Sequence, residues 1–115
     1  MNTIEQFRIE GFKIVMRFMR AAQAFTPIPK NKEEAKTRWS NIMSRYTDDA
    51  YELITLYSNA LGEDEDGNHI DGAKDISLTE LHMINAIYDT YKEYMDKECN
   101  LAGSLLNELC ALYAN

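Results

Sequence analysis

Residues Ser77–Tyr113 read SLTELHMINAIYDTYKEYMDKECNLAGSLLNELCALY, and the spacing of their apolar residues decides the fold. Leu81, Ile84, Tyr88, Tyr91, Met95, Glu98, Ala102, Leu105, Leu109 and Leu112 follow one another at alternating steps of three and four. That repeat is a heptad seam, the pattern of a helix that lays one stripe along a neighbouring helix. Only Glu98 is out of character. Ser77 with Glu80 three residues on forms a capping box, in which each side chain satisfies an amide of the other at the helix start. As one helix, residues 77–114 would run about 57 Å. A compact domain of this length has a radius of gyration of only ~13 Å. The sequence therefore predicts either a break within ECNLAG, residues 98–103, or a helix that projects and packs against a second copy.

Two more helices precede this one. The first opens on Thr3 with Gln6 in the capping-box position and carries apolar residues at Ile4, Phe7, Val15, Phe18, Ala22 and Phe25. TPIPK, residues 26–30, ends it, because a proline pushes the residue before it out of helical geometry. The second opens on Asn31 with Glu34. Its seam runs Ala35, Trp39, Ile42, Tyr46, Ala50, Leu53, Tyr57 and Ala60, and Gly62 suits a C-terminal stop. Thr47, Asp48 and Asp49 resemble a restart, which predicts a kink near residue 46. The expected fold is all-α: an antiparallel bundle of three long helices, four if the third breaks, in a single domain spanning 1–115. An acidic loop occupies residues 62–76.

The chain has 115 residues and a net charge of −7. Residues 1–45 hold nine Lys and Arg against four acids, a net of +5; residues 46–115 hold three Lys against fifteen acids, a net of −12. Such asymmetry lets two halves of a bundle attract, or presents a basic or an acidic face to a partner. Glu5 and Glu10 stand where a signal peptide needs apolar residues, and no apolar run reaches the ~20 residues of a membrane span. A cytoplasmic protein is the expectation. Cys99 and Cys110 lie about 16 Å apart on one helix, too far for a disulfide, and read as small core residues.

The loop EDEDGNHIDGAKD, Glu63–Asp75, invites comparison with a calcium-binding loop. Starting at Asp64, His69 falls at position six, where glycine is needed, and Asp75 at twelve, where a longer Glu is needed. Anchoring Glu80 at position twelve puts Ala73 and Lys74 at five and six. Neither register supplies the ligands. A looser cation site would draw on Asp64, Asp66, Asn68 and Asp71. The simpler expectation is a turn at Asp66-Gly67, opening a short hairpin.

No catalytic set appears: no glycine-rich phosphate loop, no strand–turn–helix nucleophile, no paired metal ligands around His69 or His82. The sequence thus predicts no metal, no cofactor and no enzymatic activity. One constellation points the other way. Asp49 with Glu52, and Glu93 with Asp96, are acidic pairs three residues apart on separate helices. They resemble the paired acidic motifs of the all-α nucleoside triphosphate pyrophosphatases. The resemblance implies Mg²⁺ held by these four carboxylates against a substrate pyrophosphate. Asp stands here where that family has Glu, and the gap between the motifs is longer. The phrase SLTELHMINAI, residues 77–87, is similar to the helix that precedes the DNA-reading helices of MarR-type regulators. The next segment of the chain lacks the small-residue turn and recognition helix of that motif.

Basic residues make a last candidate. Lys13, Arg17 and Arg20 share one face of the first helix, and Lys30, Lys32, Lys36, Arg38 and Arg45 come after them, with Trp39 and Tyr46 interleaved. Both aromatics lie on the apolar seam, so the expectation is core packing and no direct nucleic-acid binding.

The leading expectation is a non-enzymatic helical protein that binds another protein through an oligomeric bundle surface. A homodimer would form along the seam residues Leu81, Ile84, Tyr88, Tyr91, Met95, Leu105, Leu109 and Leu112. A sharper version is a small acidic inhibitor that fills a basic channel on a nucleic-acid-processing or defence enzyme. Its contact surface would be Asp64, Glu65, Asp66, Asp71, Asp89, Glu93 and Asp96.

Overall fold

The computed structural model describes residues 3–23, 27–64, 66–73 and 75–113. Three helices pack against one another: α1 (Thr3–Ala22), α2 (Lys32–Ala60) and α3 (Leu78–Leu112). The two later helices start where their caps dictate. The Asn31 side chain accepts the Glu34 N–H at 2.8 Å, and Glu34 reaches back to the Lys30 N–H at 3.0 Å. At Ser77 the box closes reciprocally, the Glu80 N–H reaching Ser77 Oγ at 3.1 Å and the Ser77 N–H reaching Glu80 at 3.2 Å. Phe25 of the expected first seam lies outside the described residues.

The break at 98–103, one of the two expected alternatives, is absent. α3 is one helix of 35 residues, about 52 Å long. Gly103 does not end it, because that glycine serves packing. The Trp39 indole covers it so closely that an added β-carbon would lie 3.1 Å from Trp39 Cη2. The restart expected near residue 46 is absent too. α2 runs unbroken, and Thr47 turns its hydroxyl back to the Met43 carbonyl at 3.0 Å instead of capping a new helix.

The molecule resolves the conflict between helix length and compactness by being a rod, 60 × 22 × 19 Å with a radius of gyration of 17.7 Å. α2 and α3 hold one antiparallel register. Tyr57 meets Asn85, Tyr46 meets Asp96, Met43 meets Cys99 and Trp39 meets Gly103. Each step back along α2 is matched by an equal step forward along α3. α1 lies across both, with Phe7 against Tyr57 and Tyr91 and Phe18 edge-on to Tyr46. The core is the stripe the periodicities predicted: Phe7, Val15, Phe18, Ala35, Ile42, Leu53, Ile84, Met95 and Leu109 are all buried.

α1 is shorter than α3 and stops part-way along it. Beyond its end an extended strap, residues 27–31, continues in its place. Pro29 is buried, its carbonyl accepting the Tyr113 hydroxyl, and the Pro27 carbonyl accepts the Arg38 guanidinium. Cys99 and Cys110 are free and half-buried, and burial pushes the Cys99 thiol up from its ordinary range.

Candidate functional site

The acidic pairs that resemble a pyrophosphatase centre do not converge on a metal. Asp49 is fully buried and faces arginines. Arg17 donates to Asp49 Oδ1 from Nε at 3.0 Å, and Arg45 donates to Oδ2 from Nε at 3.0 Å and to Oδ1 from Nη2 at 2.7 Å. Glu52 accepts from the same Arg17, whose pKa is raised chiefly by that bond. Asp96 points elsewhere, taking the Tyr46 hydroxyl and Lys92 Nζ, the latter at 2.8 Å. Glu93 is exposed to solvent. Among the described residues no group of three or more His, Cys, Asp and Glu is arranged to hold a metal ion. Asp49, Glu52 and Asp96 are partners for the cations Arg17, Arg45 and Lys92.

The acidic loop is a turn built by its own backbone. Glu63 and His69 form an isolated antiparallel bridge, the Asp64 N–H donates to the Asn68 carbonyl at 2.8 Å, and Gly67 takes a positive φ of 83°. Asp64 Oδ1 accepts the N–H groups of Asp66 at 3.0 Å and Asn68 at 2.9 Å, so this carboxylate is spent on holding the turn. Asp66 and Asp71 are exposed; Glu65 lies outside the described residues. Asp89 and Glu93 are exposed on α3, whereas Asp96 is half-buried. The acidic surface expected for a basic partner is therefore split between one pole of the rod and the outer side of α3.

The heptad seam is largely internal. Ile84, Met95 and Leu109 are buried, and Leu81, Tyr88 and Tyr91 are half-buried, Tyr88 against Tyr57 of α2 and Tyr91 against Phe7 of α1. Only Leu105 and Leu112 of the predicted oligomer seam stand open. With Met83, Tyr94 and Leu101, each one residue before a seam position, they make a second apolar line, all exposed. At 100° per residue these five share one edge of α3. Leu101, Leu105 and Leu112 keep 55%, 45% and 71% of their surface open. The edge borders α1, because Tyr91, just inside it, meets Gly11 and donates its hydroxyl to the Arg8 carbonyl at 2.6 Å. On α1, exposed Phe12 and Met16 lie on the side away from the Ile14–Arg17–Phe18 face that meets α2. One flank of the rod, α1 with α3, thus carries an apolar strip. The sequence held a signal for it: Met83, Ile87, Tyr94, Leu101, Leu105 and Leu112 keep helical spacing in the shadow of the stronger seam.

Among the described residues, four of the eight basic candidates form ion pairs, and Lys30, Lys32 and Lys36 are exposed. Lys13 pairs with Glu10, Arg17 with Asp49 and Glu52, Arg38 with Glu34, and Arg45 with Asp49. Trp39 and Tyr46 are packed inward, as the seam required. No helix among the described residues is long and apolar enough to cross a membrane. No family model, curated protein or solved structure matches the chain.

Proposed function

We propose that this chain is a non-catalytic helical module that works by binding a protein along its α1–α3 flank. One observation carries the reading: Tyr94, Leu101, Leu105 and Leu112 form an exposed apolar line on α3 that the chain's own core does not use. Isolated exposed apolar residues need no explanation, but a contiguous line of large ones rimmed by polar residues marks an interaction surface. The line continues past the end of α1, where, among the described residues, the strap accompanies α2 and α3. A rigid rod presenting such an edge suits helix-on-helix recognition, in which anchors three, four and seven residues apart enter a partner's groove.

Leu101→Glu with Leu105→Glu tests this directly. Both side chains are half-exposed, so helicity by circular dichroism should be unchanged. Tagged wild-type protein should capture a stoichiometric protein partner, a second copy included, from nuclease-treated lysate of its host, and the double variant should lose it. Equal capture by both proteins would refute the flank as the binding surface. A second reading rests on the exposed carboxylates Asp66, Asp71, Asp89 and Glu93, which suit a basic enzyme channel. Capture abolished by reversing those charges, and untouched by the leucine changes, would favour it.

A further inference from the structure

We propose that the flank is occupied by a second copy of this chain, docked antiparallel about a two-fold axis at the level of Gly103. This rests on the reading of the flank as a protein-binding surface and names its occupant.

The first ground is the spacing of the exposed line. Within the line, Tyr94, Leu101, Leu105 and Leu112 are separated by seven, four and seven residues, which reads the same in both directions; Met83, eleven residues before Tyr94, lies outside this repeat. A two-fold interface must be self-complementary, since the same patch serves both subunits. Two antiparallel copies of α3 centred on Gly103 place Leu101 opposite the partner's Leu105 and Tyr94 opposite the partner's Leu112. A parallel pairing would instead stack each residue on itself, and a heterologous partner would impose no palindrome.

Charge supplies the second ground. Lys97 and Glu108 are exposed, and neither forms an ion pair among the described residues. At 100° per residue both fall on the outer rim of the apolar line, the side away from α1. A two-fold axis perpendicular to the helices keeps that side in common, so Lys97 of each copy comes beside Glu108 of the other. Two ion pairs then close the rim.

The third ground is the place where α1 gives way to the strap. Pro29 is tied to Tyr113 at the end of α3, and Gly11 is tied to Tyr91. With Gly103 as the centre, the level of Tyr113 meets the partner's Glu93. Ile28, which has 72% of its surface exposed, then stands at the level of Phe12 and Met16 on the partner's α1. The exposed apolar residues of strap, α1 and the C-terminal half of α3 thus find apolar counterparts in one arrangement.

Charge exchange provides the test. Sedimentation equilibrium from micromolar to millimolar protein should give a dimer for the wild type. Lys97→Glu alone sets like charges together at both rim contacts, as does Glu108→Lys alone, and each should raise the dimer Kd about tenfold. The double variant Lys97→Glu/Glu108→Lys should restore dimerisation, and Leu105→Glu should abolish it. All three positions are open to solvent, so each variant should keep its helicity. A wild type that stays monomeric throughout, or a double variant no better than the singles, would overturn the antiparallel pair. The broader flank reading fails separately, when Leu101→Glu/Leu105→Glu leaves partner capture intact.

Discussion

The Tyr91 ring occupies the space a side chain on Gly11 would fill: a β-carbon there would lie 2.7 Å and 2.9 Å from two ring atoms. The ring has little freedom to yield, since its hydroxyl is bonded to the Arg8 carbonyl and its edge packs on Phe7. Gly11→Ala should therefore destabilise the protein by about 1–3 kcal/mol, the range for overpacking a filled site. Helix propensity alone predicts a gain of roughly 1 kcal/mol, so the sign decides between packing and propensity. Urea unfolding of wild type and Gly11→Ala measures it. The losses from Gly11→Ala and Tyr91→Ala should be less than additive in the double variant, because the truncated ring no longer meets the added methyl.

Asp49 is the one buried charged residue among those described, and two arginines satisfy it. Removing the acid takes away the ion-pair partner of Arg45 and leaves Arg17 with Glu52 alone, whereas removing one arginine leaves the acid with the other. Arg17 and Arg45 side chains keep 43% and 37% of their surface open, so water tempers the loss. Asp49→Ala should cost about 3 kcal/mol, at the low end for breaking a buried pair from one side. Arg45→Ala should cost less than half of that. Equal losses in thermal unfolding would mean that Asp49 does not share its charge between the two.

Tyr46, Lys92 and Asp96 form a half-buried triad that links α2 to α3. Burial opposes ionisation of Asp96, but hydrogen bonds from Lys92 and Tyr46 outweigh it and hold the carboxyl below its ordinary range. A carboxyl with a depressed folded-state pKa favours the fold in its ionised form. Its stabilisation is therefore complete above the unfolded value of ~3.9 and is lost as pH falls through the folded one. Lys92 and Tyr46 act in the opposite limb. Burial works against the Lys92 charge, yet Asp96 and Tyr46 raise its pKa; burial and Asp96 raise that of Tyr46. Their stabilisation is present at neutral pH and is lost as pH rises beyond ~10. Asp96→Asn should lower stability at pH 7 by about 1 kcal/mol at most, because the pair is partly solvated. The gap from wild type should narrow as the pH falls from 7 to 3. A gap of the same size at both pH values would assign the loss to packing instead of charge.

The helices were legible because their signals are local. Asn31 with Glu34 and Ser77 with Glu80 mark starts that depend on a few adjacent residues, and the steps of three and four in α3 mark its buried face. The unbroken course of α3 was not legible. Gly103 carries the same letter whether it ends a helix or makes room for Trp39, and only the antiparallel register brings the two together. Asp49 was hidden for a related reason. Its neighbours Thr47, Asp48 and Glu52 make a polar run, and although Arg45 stands one turn back on α2, nothing within α2 says that Arg17 of α1 covers the same acid. In the exposed line of α3, Leu105 and Leu112 also fit the seam, and Met83, Tyr94 and Leu101 each lie one residue before a seam position, so the stronger pattern concealed the line.

The loop pole offers a test of turn against charge. Asp64 accepts two backbone N–H groups within a turn that also needs the positive φ of Gly67. Asp64→Ala removes the acceptor and should cost about 1 kcal/mol, as the loss of a comparable cap does. Asp64→Asn keeps an acceptor oxygen while removing the charge, and should cost less than half as much. Gly67→Ala should cost roughly 1–2 kcal/mol, since a β-carbon disfavours that backbone region, although open space surrounds the site. Chemical unfolding, with amide exchange at Asp66 and Asn68, reads all three. If Asp64→Asn proves as damaging as Asp64→Ala, the carboxylate matters for its charge, and the acidic pole regains its claim as a site for a cationic partner.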